Sequence, residues 1–516
     1  MRNGRIRRII ARYGDMHRVH GGPMSRVLTT FLLLLFGCGA VYAQAHAAPP
    51  RVSAEALRQA QTQGPVRVMV MLREPDALPT GRTGTKARQV SPTQALPAQI
   101  RMIERERHIR QQSDAVLAEL PPRTRVLRRF ARVPALSLYA DADALTALSR
   151  DPRVLRVDLD QGGRGAAAPD AASVLNQVHQ LPALGLGGAG MKVAVIDSGI
   201  DTDHADFRNR IVGQQCFCSG SAGCCPNGGS NQSGAGAAED NHGHGTNVAG
   251  IIAGDGTVAP RGALPAVQLV AVKVLDRDNR FCCTSDVVAA LDWVVVNHPD
   301  VDAVNLSLGT SALYAGDCDN ASATNQALAT AVANLNAMGA VVTASTGNQA
   351  NYAQTSAPAC IANVLGVAAT WDFVGGTTTF LGCTETSTAP RQPTCFSNRG
   401  FTTDLFAAGA FVTAPGFNGA TSTFGGTSQA APMVAACAVA LKQAAPASTV
   451  AQRMQAMTLS PTRIQDGASG REYPFLDCRD AAKMLNPAMF APIPVEGRAP
   501  KLRPRTTNAA TAIKKR

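Results

Sequence analysis

Met191-Lys-Val-Ala-Val-Ile-Asp-Ser-Gly199 is an apolar run that ends on a carboxylate and a turn. It predicts a buried parallel strand that delivers Asp197 at its carboxyl end, the edge where ligand sites of open α/β sheets lie. Downstream, His244-Gly-Thr-Asn-Val-Ala-Gly250 is built from small residues and leads into Ile251 and Ile252, which suits a helix packed tightly below an exposed imidazole. Gly425-Gly-Thr-Ser-Gln-Ala-Ala-Pro-Met-Val-Ala-Ala436 runs from glycines into a helix whose first turn carries Ser428, where unpaired backbone N–H groups point outward. A carboxylate, an imidazole and a hydroxyl therefore follow one another along the chain, the set that activates a serine for acyl transfer. Their order is acid, base, nucleophile, unlike the chymotrypsin-type and α/β-hydrolase orders.

On these segments the chain resembles the subtilisin-like (subtilase) serine peptidases, whose signatures read Asp-Ser/Thr-Gly, His-Gly-Thr-His and Gly-Thr-Ser-Met-Ala. The resemblance spans residues 170 to 485 and implies that Asp197 orients, His244 is the general base and Ser428 the nucleophile. It also implies that Asn348, at the end of Val341-Val-Thr-Ala-Ser-Thr-Gly-Asn348, donates to the oxyanion. Asn247 stands where the family has a second His, and Gln429 where it has Met. His242 is the competing imidazole, but it lacks the following Gly-Thr. Val304-Asn-Leu-Ser-Leu-Gly309 resembles the family's edge strand for extended peptides, so Leu306, Ser307 and Gly309 are expected in the groove, with Ser345 and Gly347 near the side-chain pocket. Asp206 matches an aspartate that many subtilases use for structural calcium, and no cofactor is implied for the chemistry.

Charge and length divide the 516 residues. The net charge of +12 is supplied by the ends: residues 1–26 hold seven Arg and one Asp, and residues 486–516 hold seven Lys or Arg and one Glu. Between them, residues 51–168 carry 20 basic and 12 acidic groups and residues 169–485 carry 15 and 23, sums of +8 and −8. This argues against a nucleic-acid partner and for mutual binding of two neighbouring domains. Residues 51–160 alternate in a β-α-β-β-α-β order, a split βαβ or ferredoxin-like unit. Its ending, Ala144 to Asp160, resembles the family's propeptide, which implies a partner carried on the same chain as folding aid and inhibitor, joined by a processing linker at 161–169.

Residues 1–45 read as an export signal, with the apolar core Val27–Phe36 behind Arg26, the small-x-small Ala43-Gln-Ala45, and Met24 as an alternative start. That core is short for a membrane span. Removing Cys38 with the signal leaves 12 cysteines, all in the catalytic region, an even number that favours disulfides in an exported chain. Cys216, Cys218, Cys224 and Cys225 crowd one Gly- and Ser-rich loop, where a zinc knot is the competing reading, and Cys437 is either a free thiol or bonded to Cys478. The basic, proline-containing stretch from 486 to 516 lacks an apolar pattern.

The expected architecture is a three-layer α/β domain with a mainly parallel sheet, preceded by a small α+β prodomain. The expected function is a secreted or periplasmic serine endopeptidase, made as an autoprocessed zymogen and acting on polypeptides through an acyl-enzyme. The alternative is a catalytically silent, peptide-binding homologue.

Overall fold

The computed structural model describes residues 51–73, 98–160, 163–165, 176–220 and 223–490. The expected export signal, the linker apart from 163–165, and the tail beyond 490 lie outside these residues.

The first unit alternates helix and strand: α1 (Ala54–Gln63), β1 (Val66–Leu72), α2 (Ala98–Ala118), β2 (Arg125–Arg129), β3 (Ala135–Ala140), α3 (Ala142–Arg150) and β4 (Val154–Leu159). Its antiparallel sheet has the order β2-β3-β1-β4. The polar, glutamine-rich helix α1 was not expected; the Ser53 side chain caps it by accepting from Ala56 N. Strand period decides what each face does. Val68, Val70, Leu136 and Leu138 pack with Ala56, Ala144, Leu145 and Leu148 in the unit's own core, whereas Met69, Met71 and Ala135 point the other way.

The larger unit continues with β5 (Gly163–Gly165), β6 (Lys192–Asp197), β7 (Ile211–Phe217), β8 (Asn231–Ser233), α4 (His244–Ala253), β9 (Gln268–Lys273), β10 (Arg280–Phe281), α5 (Thr284–Asn297), β11 (Ala303–Leu306), β12 (Leu308–Thr310), α6 (Ala323–Ala337), β13 (Val341–Ser345), β14 (Val364–Trp371), β15 (Leu405–Ala410), β16 (Val412–Pro415), β17 (Thr421–Phe424), α7 (Thr427–Ala444), α8 (Val450–Thr458) and α9 (Cys478–Leu485). An eight-stranded sheet has the order β15-β14-β13-β11-β6-β9-β7-β8, parallel throughout except at the β7–β8 edge. Alternation along β6 makes three layers. Val193 and Val195 face α4, α7 and α9, while Ala194 and Ile196 face α5 and α6. The same second layer receives Met69, Met71 and Phe130, so helices α5 and α6 lie between the two sheets.

Six disulfides pair the twelve cysteines: 216–225, 218–224, 282–283, 318–360, 383–395 and 437–478. The four crowded cysteines thus bond one another rather than hold zinc. Cys437–Cys478 ties α7, which carries Ser428, to the terminal helix α9. Replacing both by serine is expected to lower the melting temperature by about 5–10 °C, from a loss of about 2–4 kcal/mol, measured by calorimetry on the oxidised protein.

Candidate active site

Asp197 is the last residue of β6 and is fully buried. Its Oδ1 accepts from His244 Nδ1 at 2.6 Å and from the backbone N–H of Ser198 at 2.7 Å. A buried carboxylate needs such donors, and they fix which edge of the imidazole faces it. His244 opens α4 after Gly243, whose φ of 95° turns the chain into the helix. The following Gly245 is required by contact: a Cβ there would lie 2.0 Å from Gly199 O. The imidazole, expected to be exposed, is buried, with the Phe424 ring edge-on at 5.9 Å and the His242 ring at 6.3 Å. Burial, and then the neighbouring His244, hold the His242 ring below the ordinary histidine value.

Below this pair lies a residue the sequence reading missed. Asp240 accepts from Ser198 Oγ (2.9 Å), from the backbone N–H groups of His242 (2.9 Å), Gly243 (3.0 Å) and Thr246 (3.0 Å), and from Thr246 Oγ1 (2.6 Å). Burial alone would raise its carboxyl, but the bonds from Thr246, Gly243 and His242 outweigh that and hold it below the usual range. Asp240 thereby welds the turn after β6 to the start of α4.

Lys273 ends β9 directly opposite Asp197 in the parallel ladder, and its ammonium donates to Ser198 O and to Asn241 Oδ1. Burial pushes it down to about 8, opposed by Asp240, Asp197, Asp276 and Glu239.

Ser428 sits in the first turn of α7, buried, with its Oγ donating to Ser307 O at 3.1 Å, while Ser307 Oγ donates back to Ser428 O at 2.7 Å. Asn348 follows β13; its Oδ1 accepts from Thr427 N (3.0 Å) and Thr427 Oγ1 (2.9 Å). Fixed this way, its Nδ2 is a buried donor without a hydrogen-bond partner among the described residues. The structure thus gathers an ionisable pair, a hydroxyl at a helix N-terminus and a spare N–H donor at the carboxyl ends of the central strands.

Beside Ser428 runs a second, three-stranded sheet. β5 lies between β10 and β12, antiparallel to both, with Arg164 opposite Arg280 and Gly309, and Gly165 opposite Leu308. Gly309 therefore pairs with β5, and it must be small: a Cβ would come 2.2 Å from Ser356 Oγ. Ser307 joins β12 to α7, the helix that carries Ser428. Leu306, expected with Ser307 and Gly309, lies elsewhere. The run 304–309 breaks at Ser307, so Leu306 belongs to the central strand β11 and is fully buried in the α5/α6 layer. Ser345 donates to Leu308 O at 3.3 Å, and Gly347 N donates to Thr427 Oγ1 at 3.2 Å, so they tie β13 and the turn after it to β12 and to the start of α7.

Asp206 does not fit a cation here. Its carboxylate accepts from the backbone N–H groups of Thr257 (2.6 Å), Val258 (2.9 Å) and Ala259 (2.9 Å). Calcium needs oxygen ligands, whereas this carboxylate is caged by N–H donors, which does the same work of pinning the loop after α4.

The small unit grips the large one through α5 and α6. Asp160 Oδ1 accepts from Ser285 N at 3.0 Å and Asp158 Oδ2 from Ala323 N at 2.6 Å, placing a carboxylate on each helix N-terminus. Arg67 bonds Asp160 (2.7 Å) and reaches Asp286 (3.7 Å), which Arg128 also meets at 2.8 Å. The opposite charge sums of the two regions meet here.

A family model described as the subtilase family matches residues 188–474, which contain all four residues named above. The chain belongs to the subtilase family. Curated relatives include the extracellular serine proteinase of Thermus sp. (strain Rt41A), 33% identical over 343 residues, covering 64% of this chain and 72% of the relative. Subtilisin E of Bacillus subtilis (strain 168) is 32% identical over 336 residues, covering 64% and 75%. The minor extracellular protease Epr of the same organism is 29% identical over 367 residues; the match covers 68% of this chain and 49% of Epr. This subtilase is a subtilisin-like serine endopeptidase.

The folded value of Lys273, about 8, lies below its ordinary 10.5, so its burial costs stability at low pH and that cost lifts as pH rises between the two. Relative to Lys273→Met, the wild type is expected to gain stability between pH 8 and 10.5, read as the difference in melting temperature at each pH.

Proposed function

We propose that this subtilase is an exported endopeptidase, made as a precursor that cuts itself, and that it hydrolyses peptide bonds through an acyl-enzyme on Ser428. The supporting observation is the strand β5: a segment of the chain itself lies extended in the groove, paired on both edges, with Gly165 nearest the Ser307–Ser428 contact. That is how an extended peptide would present a scissile carbonyl.

In this reading Ser428 Oγ turns from the Ser307 carbonyl to His244 Nε2, gives up its proton there, and attacks the peptide carbonyl. The oxyanion is met by Asn348 Nδ2 and the backbone N–H of Ser428. His244 then passes the proton to the leaving amine as the C–N bond breaks, leaving an ester on Ser428. Water, deprotonated by the same imidazole, attacks the ester and restores the hydroxyl. Asp197 stays ionised throughout, holding the ring by Nδ1 and stabilising it when it is charged.

Residues 51–160 act as propeptide. Their carboxylates on α5 and α6 and the Arg67 and Arg128 pairs with Asp286 hold β5 in place, which favours inhibition until the linker is cut. We place the processing bond just past Gly165, within residues 166–169. Export agrees with the disulfides and with the extracellular relatives; no helix among the described residues is long and apolar enough to cross a membrane.

Expression of Ser428→Ala is expected to leave the precursor uncut and to lower peptide hydrolysis by at least about a thousandfold. The wild type should mature to an N-terminus between Ala167 and Pro169, read by mass spectrometry. Self-cutting by the alanine variant would sink the reading. Asn348→Leu should lower kcat by about 100- to 1000-fold at nearly constant KM, measured on a chromogenic peptide.

A further inference from the structure

Asn247 and Gln429, the two departures from the family signatures, meet behind the site. Asn247 lies one turn along α4 from His244, and Gln429 directly follows Ser428 on α7; both side chains are fully buried. Gln429 Nε2 donates to Asn247 Oδ1 at 3.3 Å. Asn247 Nδ2 donates onward to Ser422 Oγ at 3.1 Å and to Ser422 O at 3.2 Å, and Ser422 Oγ donates to Pro415 O at 3.2 Å. Ser422 belongs to β17, which pairs with β16 and ends in Phe424, the ring that stands edge-on to His244.

These bonds close a loop through the three elements that set the site's geometry: the helix of the base, the helix of the nucleophile and the strand that walls the imidazole. An apolar pair would fill the same space without burying amides. Here Gln429 Oε1 is buried with no partner among the described residues, so the arrangement is poor as a stability device. It is suited to fixing register between α4 and α7, because a directional bond resists the sliding that apolar contacts tolerate.

We infer that Asn247 and Gln429 are positioning residues, an amide clamp that sets the distance between His244 and Ser428. The inference rests on the reading of Ser428 and His244 as nucleophile and base. Neither amide touches substrate; each acts through its neighbour on the same helix.

The test compares mature wild type, Gln429→Leu, Asn247→Leu and the double variant on a chromogenic peptide, with active sites titrated by a serine-directed organophosphorus reagent. Each single is expected to lower kcat per titrated site by about five- to twentyfold with KM within about twofold, since small misplacements tax the chemical step and not binding. The double variant should be no worse than Asn247→Leu alone, because one link is cut only once. Unchanged kcat in both singles, losses carried by KM alone, or losses that multiply in the double would each overturn the clamp. If a leucine variant does not accumulate as folded protein, Gln429→Met, which keeps the chain length but has no N–H, is read in the same way. Ser428→Ala runs beside them: turnover retained there faults the Ser428 reading itself, whereas unaffected amide variants fault only the clamp.

Discussion

Burying Asp197 as a charge is the constraint from which the site follows. A carboxylate at the carboxyl end of a central strand has no water, so the fold must bring donors to it, and they come from His244 and from Ser198. Ser198 is held in turn by Asp240, which also gathers the turn that starts α4. The imidazole is therefore placed by the needs of two buried acids. Lys273 adds a positive charge at the floor of the same cluster, where two anions would otherwise repel each other.

The groove depends on a different requirement. β10 and β12 present backbone groups that a single extended segment can satisfy together, and β5 fills that gap. The small N-terminal unit fits the same logic at its base. Its two terminal carboxylates land on helix N-termini, where unpaired N–H groups await an anion. Its arginines meet Asp286, which also accepts from Ser219.

The four residues of the candidate site were legible because each lies in a short segment whose backbone chemistry is local: a strand end, a glycine-started helix, a helix first turn. The three-layer fold was legible from the apolar run of β6. Leu306 was misplaced because one continuous apolar stretch serves two sheets, and only the break at Ser307 separates them. The imidazole's burial depends on Phe424, which is distant in sequence. Lys273 reads as an interruption of an apolar strand, and its acidic surroundings arise only on folding. The role of Asp206 depends on whether neighbouring backbone offers oxygens or N–H groups, and the N–H groups of Thr257, Val258 and Ala259 meet it only once the chain has folded.

Pairing through main-chain atoms on both edges of β5 has a bearing on selectivity. Every residue but proline carries both an N–H and a C=O, so this mode of pairing is nearly blind to side chains and demands only that a short run of consecutive positions be free to straighten. A compact protein, whose strands are already spoken for, offers few such stretches, whereas a loosened or denatured one offers many. On the function proposed above, a substrate is therefore chosen by its foldedness before its composition.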